Sequence, residues 1–187
     1  MLFRSASRSL DLGYALRRGL DYLRYLEPRY RQAPKLRFRA QEKAPALLLN
    51  LLRWPLVSTA PGRSLLAAII RRLERAVPRD TVLDAFITSH RPDLVLVTPL
   101  VEPGSPQIEY VRSAHALGIP AGLCVYSWDN LTNKGLIQES LEVVTVWNEA
   151  MKAEAVTLHG VAPARVVVTG APAYDHWFSW KPSQSRE

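Results

Sequence analysis

The chain has 187 residues, 48% of them apolar and 22% charged, with a formal net charge of +7 and one cysteine. That length supports one sizeable core with appendages, and the lone Cys124, inside an apolar run, excludes an intrachain disulfide and points to a reducing compartment. The charge is split: residues 1–91 hold 18 Lys+Arg against 7 Asp+Glu, while residues 92–187 hold 6 against 10.

The basic front half suits an anionic partner such as phospholipid headgroups, a phosphorylated substrate or nucleic acid. A plain Arg-rich composition explains it equally, since 19 of the 24 basic residues are Arg. Residues 1–20 carry Arg4, Arg8, Arg17 and Arg18 with no long apolar stretch, which argues against a secretory signal. The most apolar window, Ala44 to Val57, is too short to span a bilayer and is broken by Asn50, Arg53 and Pro55. The expected location is cytoplasmic, with peripheral attachment to the inner membrane face as one use of the basic half.

In chain order, residues 1–11 lack pattern and are expected to fray. Leu12, Leu16, Leu20 and Leu23 predict a helix ended by Pro28, with Arg17, Arg18 and Arg24 on its other faces. Tyr14, Tyr22, Tyr25 and Tyr30 interleave with these arginines; they can pack at a core edge, sit at a membrane interface or stack on bases. Residues 31–43 read as linker or exposed edge. Ala46 to Trp54 predicts a short helix broken at Pro55. After the turn STAPG, Leu65, Leu66, Ile69, Ile70 and Leu73 predict another with Arg71, Arg72 and Arg75 outside, and Val82 to His90 a last one before Arg91-Pro92.

Strands begin only at Leu94. Leu94 to Val97, Ile119 to Tyr126, Val143 to Val146 and Arg165 to Val168 are short apolar runs. Between the first two, Ser105-Pro106 starts a helix with Ile108, Val111, Ala114 and Leu117 on one side, and Gly118 ends it. Asn148 caps a helix carrying Met151, Ala155 and Leu158, with His159 in its last turn and Gly160 after it. Strand, helix, strand at this spacing predicts right-handed βαβ units in a parallel sheet. The fold expected is α/β: a partial Rossmann-like parallel sheet in residues 92–165 behind a mainly helical basic region in residues 1–91. The tail KPSQSRE is expected to be disordered.

Ligands of such sheets bind outside the carboxyl ends of the strands, which singles out residues 99–105 and 127–135. In SWDNLTNKG, Asp129 can serve as base toward an acceptor hydroxyl, with Ser127, Trp128, Asn130, Thr132 and Lys134 as hydroxyl or phosphate ligands. The plain alternative is a strand-to-helix turn in which Asp129 or Asn130 caps and Gly135 permits the bend. In TPLVEPGSPQ, the amides of Gly104 and Ser105 can hold an anion and Glu102 can act as a second base; a capped helix beside an exposed Glu is the alternative. Asn130-Leu131-Thr132 matches a glycosylation acceptor that a cytoplasmic chain would not use. The four histidines show no metal spacing, and with neither a Walker nor a GxGxxG element no metal and no cofactor is implied.

SWDNLTNKG, VWNEAMKAEAVTLHGV and RVVVTGAPAYDHWF, with DYLRYLEPRY at 21–30, together resemble bacterial GT-B glycosyltransferase-like proteins akin to CDP-glycerol glycerophosphotransferases and UDP-N-acetylglucosamine 2-epimerases. Trp147, Glu149, Gly160, Val161, Val168, Thr169, Gly170, Pro172 and Asp175 stand at the positions that carry it. The resemblance implies an acceptor-side GT-B domain that uses a sugar or polyol acceptor and a nucleotide-activated donor. It implies a hinge at Thr169, Gly170, Pro172 and Asp175, with a truncated second domain beginning in residues 166–187. The Arg-rich helical start departs from the strand and Gly turn expected of such a domain. The expectation is thus the middle of a larger enzyme, inactive alone, and self-associating or dependent on a partner because Trp177, Phe178 and Trp180 lie beyond the last strand. The alternative is a non-enzymatic α/β module that contacts an anionic membrane or a partner protein; nucleic-acid binding rests on charge alone.

Overall fold

The computed structural model describes residues 2–181, with side chains from Asp11 onward; most of the tail expected to be disordered, residues 182–187, lies outside the described residues. Helix α1, Leu2–Tyr25, is longer than its leucine spacing predicts, so residues 2–11 are helical. A single 3-10 turn, Pro28–Tyr30, follows. Residues expected as linker form α2, Pro34–Lys43, which starts on its proline and buries Ala40. The short helices α3, Ala46–Leu51, and α4, Pro55–Ser58, lead to α5, Ala60–Ala76, whose cap Thr59 accepts a bond from the Gly62 amide. The turn expected at STAPG is therefore the end of α4 at Ser58, the cap at Thr59 and the start of α5. Helix α6, Thr81–His90, is capped by Asp80 and closed by Arg91 in the left-handed region at φ 47°.

These helices enclose a core of Leu20, Tyr22, Leu23, Tyr25, Tyr30, Ala40, Leu48 and Ile70. Tyr22, Tyr25 and Tyr30 are thus packing residues. So are two of the arginines expected on the surface: Arg17 is 0% and Arg24 3% exposed, while Arg18 alone of the three faces solvent. Burying a guanidinium demands partners, and both have them.

The back half alternates strand and helix: β1, Val95–Val97; α7, Gln107–Ala116; β2, Ala121–Cys124; α8, Asn130–Asn133; β3, Val143–Val146; α9, Glu149–His159; β4, Val166–Val168; and α10, His176–Ser179. Gly118 and Gly160, with φ of 73° and 71°, follow α7 and α9 as the glycines predicted to end them. All strands run parallel in the order β1-β2-β3-β4, with Val95 opposite Ala121, Gly122 opposite Val143 and Val144 opposite Val166. The chain is an α/β protein with the parallel sheet its apolar runs predict. Strand β4, expected at the start of a second domain, pairs with β3 in this sheet, and Val166 joins its core.

One sheet face, carrying Val97, Ala121, Leu123, Val144, Val146 and Val166, packs on Ile108, Val111 and Ala114 of α7 and on Met151 and Ala155 of α9. Alternation puts Leu96 and Val167 on the opposite face, where both are exposed. Gly122 permits the close packing there: a Cβ on it would come within 2.6 Å of Val143 Cγ1 and 2.9 Å of Leu96 Cδ2. Parallel sheets ordinarily have both faces covered. Among the described residues no helix reaches the length and apolarity needed to cross a membrane.

Candidate functional site

Two loops leave the carboxyl ends of β1 and β2, and α1 holds both. Arg17, Asp21 and Arg24 lie at i, i+4 and i+7, so they share one helical face, directed into the back half. The Asp21 carboxylate, 2% exposed, accepts the Gly104 amide at 3.2 Å, the Leu136 amide at 2.8 Å and the Gln138 side-chain amide at 3.2 Å. Gly135 lies so close that a Cβ there would stand 3.0 Å from Asp21 Oδ2, and one on Gly104, at φ 72°, would stand 2.9 Å from Arg18 Cγ.

Arg24 donates to the carbonyls of Leu131 at 3.0 Å, Gly135 at 3.1 Å and Lys134 at 3.3 Å, and its Nε to the Tyr30 hydroxyl at 2.7 Å. The Tyr25 hydroxyl also donates to the Lys134 carbonyl, and burial pushes its phenol up to about 12, so it stays a donor. From the other side His159 Nδ1 accepts the Ile137 amide at 3.1 Å while its Nε2 donates to the Leu131 carbonyl at 2.7 Å. Those two bonds specify the neutral ring. The carbonyls of Leu131, Lys134 and Gly135 and the amides of Gly135, Leu136 and Ile137 are thus taken by the protein itself.

Several residues expected at the site take part in this bracing. The Gly104 amide donates to the protein's own Asp21, and Ser105, 3% exposed, accepts the Gln107 amide at 3.2 Å. Asn130, 4% exposed, locks the turn by accepting the Ser127 amide at 3.0 Å. Glu102, the expected second base, and Lys134, an expected phosphate ligand, join the two loops in a partly exposed ion pair at 2.9 Å. Gln107, which the sequence did not single out, fixes the first loop by accepting the Leu100 amide at 3.0 Å and donating to the Thr98 carbonyl.

Asp129, Ser127 and Thr132 are partly exposed, as are Glu102 and Lys134, and the rings of Tyr126 and Trp128 face solvent. Asp129 accepts the Asn133 side-chain amide at 3.1 Å, and the hydrogen bond from the Ser127 side chain, followed by that from Asn133, holds its carboxyl below the usual range. It is therefore ionised at neutral pH, better suited to hold a hydroxyl than to take its proton outright. Thr132 donates to the Asp129 carbonyl at 3.1 Å. At the ends of β3 and β4, Trp147 meets Tyr174 edge-on at 5.6 Å, and the residues expected as a hinge follow β4 directly. The Thr169 amide bonds the Val146 carbonyl at 2.9 Å, Gly170 adopts φ 78°, and Pro172 opens a 3-10 turn that ends at Tyr174, ahead of exposed Asp175.

Buried Asp21 and half-buried His159 make the site pH-sensitive in two opposed senses. Burial raises the Asp21 carboxyl from 3.8 to about 6 against the bonds from Leu136 and Gly104, so its contribution is present below the unfolded value and lost as pH rises toward 6. Burial, and then the Arg24 charge, lowers His159 from 6.5 to about 4, so its contribution is present above 6.5 and lost as pH falls toward 4. Each amounts to about 3 kcal/mol, and in the intact chain they offset. Asp21→Asn is expected to lose about 3 kcal/mol more than the parent on going from pH 6.5 to 4, and His159→Gln to lose about 3 kcal/mol less. Urea midpoints across that range check both signs.

No protein-family model, curated protein or solved structure matches the chain.

Proposed function

We propose that the chain is the acceptor-side domain of a GT-B-type glycosyl- or glycerophospho-transferase, working with a donor-binding domain and without turnover by itself. The observation that carries this reading is Asp129: an ionised, partly open carboxylate held by Ser127 and Asn133 at the carboxyl end of a central parallel strand. Beside it stand exposed Trp128 and Tyr126, an apolar surface of the kind that packs on a sugar or polyol. In this reading Asp129 orients the attacking hydroxyl of the acceptor. The hinge at Thr169, Gly170, Pro172 and Asp175 leads to the donor side, against which Trp177, Phe178 and Trp180, all more than half exposed, would pack.

Glycerol phosphate titrated into the chain is expected to shift the amide resonances of residues 127–133, and Asp129→Asn to remove the shifts. No change at millimolar ligand overturns the reading. A chain that alone turns over a nucleotide-activated donor would contradict the need for a second domain. Before a donor domain is supplied, light scattering should show concentration-dependent self-association that Phe178→Ser reduces.

A further inference from the structure

The outer face of α3, α4 and α5 takes no part in the carboxyl-edge loops. Leu47, Trp54, Leu56, Leu65, Ile69 and Leu73 are all exposed on it, Leu56 to 84%. They are not scattered singles. Leu65, Ile69 and Leu73 repeat at i, i+4 and i+8 and form one stripe along α5, while Ile70 and Glu74 turn inward. Leu51, Leu56, Val57, Leu65, Leu66 and Ile69 line one continuous apolar groove of about 190 Å³. A soluble surface does not gain from such a run of exposed leucines.

The charge around it has one sign. From Ala44 to Arg79 the chain has six arginines and a single acidic residue, Glu74, and Glu74 is buried against Arg17. Arg53 follows Leu52 directly before Trp54, and Arg72 lies at i+7 from Leu65, beside the stripe; both face solvent. Protruding leucines and a tryptophan bordered only by arginines form the pattern of a surface that lies in a lipid interface, with the rings and methyls among the acyl chains and the guanidiniums on phosphates.

We propose that this face docks on an anionic phospholipid bilayer, with Trp54 and Leu56 inserted at headgroup depth. The contact surface is thus α3–α5, not the α1 arginines, two of which are buried. It does not rest on the transferase reading.

The test is co-sedimentation of the full chain with phosphatidylcholine vesicles, with and without phosphatidylglycerol. Binding to the anionic vesicles is expected to exceed that to the neutral ones at least about tenfold, and to fall as ionic strength rises from about 0.05 to about 0.5 M. Leu56→Glu/Leu65→Glu, changed at exposed positions, should weaken binding at least about tenfold while the urea midpoint stays put. Arg53→Glu/Arg72→Glu should abolish the preference for anionic lipid. Trp54→Phe should remove the blue shift of tryptophan emission that vesicles induce. Absence of binding, equal binding to both vesicle types, or unchanged binding by the leucine variant overturns the proposal. So does self-association that the leucine variant abolishes in a chain that ignores vesicles, which would assign the face to a second copy.

Discussion

Arg17→Met is expected to cost the chain about 3–5 kcal/mol of stability. The guanidinium is fully buried and pairs with Glu74 at 3.0 Å and Glu109 at 2.7 Å, both side chains nearly as buried. Arg112 reaches the same two carboxylates only at 3.7 and 3.5 Å. Removing Arg17 leaves two carboxylates facing each other in the low-dielectric junction of α1, α5 and α7. That penalty comes from the abandoned charges and not from the worth of the pairs, because Arg17 Nε and Nη2 have no partner among the described residues and desolvating the cluster is itself costly. The triple variant Arg17→Met/Glu74→Gln/Glu109→Gln should therefore recover most of the loss. Urea unfolding of the single and triple variants measures it. A single variant within about 1 kcal/mol of the parent would mean that the cluster is solvated.

Arg24→Met is expected to lose about 3–4 kcal/mol and, unlike Arg17→Met, to act on the carboxyl-edge loops directly. Hydrogen bonds to a charged group are each worth about 1.5–3 kcal/mol, and Arg24 donates four, three of them to carbonyls of residues 131–135. The sum is less than additive because Tyr25 and His159 hold the same carbonyls from other sides. With Arg24 gone, the Leu131 carbonyl keeps His159 and the Lys134 carbonyl keeps Tyr25, but the Gly135 carbonyl loses its charged donor. The acceptor response of residues 127–133 should weaken with the loop, whereas Arg17→Met should leave it intact in the fraction still folded. Equal loss of ligand response in both variants would show that Arg24 acts only through global stability.

The sheet was legible because its signals are local. The apolar runs at 94–97, 119–126, 143–146 and 165–168 and the glycines at 118 and 160 mark strands and helix ends by residue type alone. What stayed hidden is non-local. Arg17 and Arg24 read as surface charges because Glu74 lies 57 residues and Glu109 92 residues from Arg17, and the Leu131 carbonyl lies 107 residues from Arg24. The partner of the Gly104 amide, Asp21, lies 83 residues upstream. The i, i+4, i+7 spacing of Arg17, Asp21 and Arg24 was the available sign that a charged stripe of α1 turns inward. Helix α2 was missed because its charged outer face outweighs the single buried Ala40 and half-buried Leu36.

The central claim is that α1 clamps the two carboxyl-edge loops into one preformed site, and native-state hydrogen exchange at four amides tests it most directly. Gly104 and Leu136 donate to Asp21, Gly135 to the Val101 carbonyl and Ile137 to His159. If the clamp holds, these amides exchange as slowly as those of β2 and β3, and Asp21→Asn speeds Gly104 and Leu136 far more than it speeds the strands. Exchange of all four at the rate of open loops, with β2 and β3 still protected in the unsubstituted chain, would contradict the account.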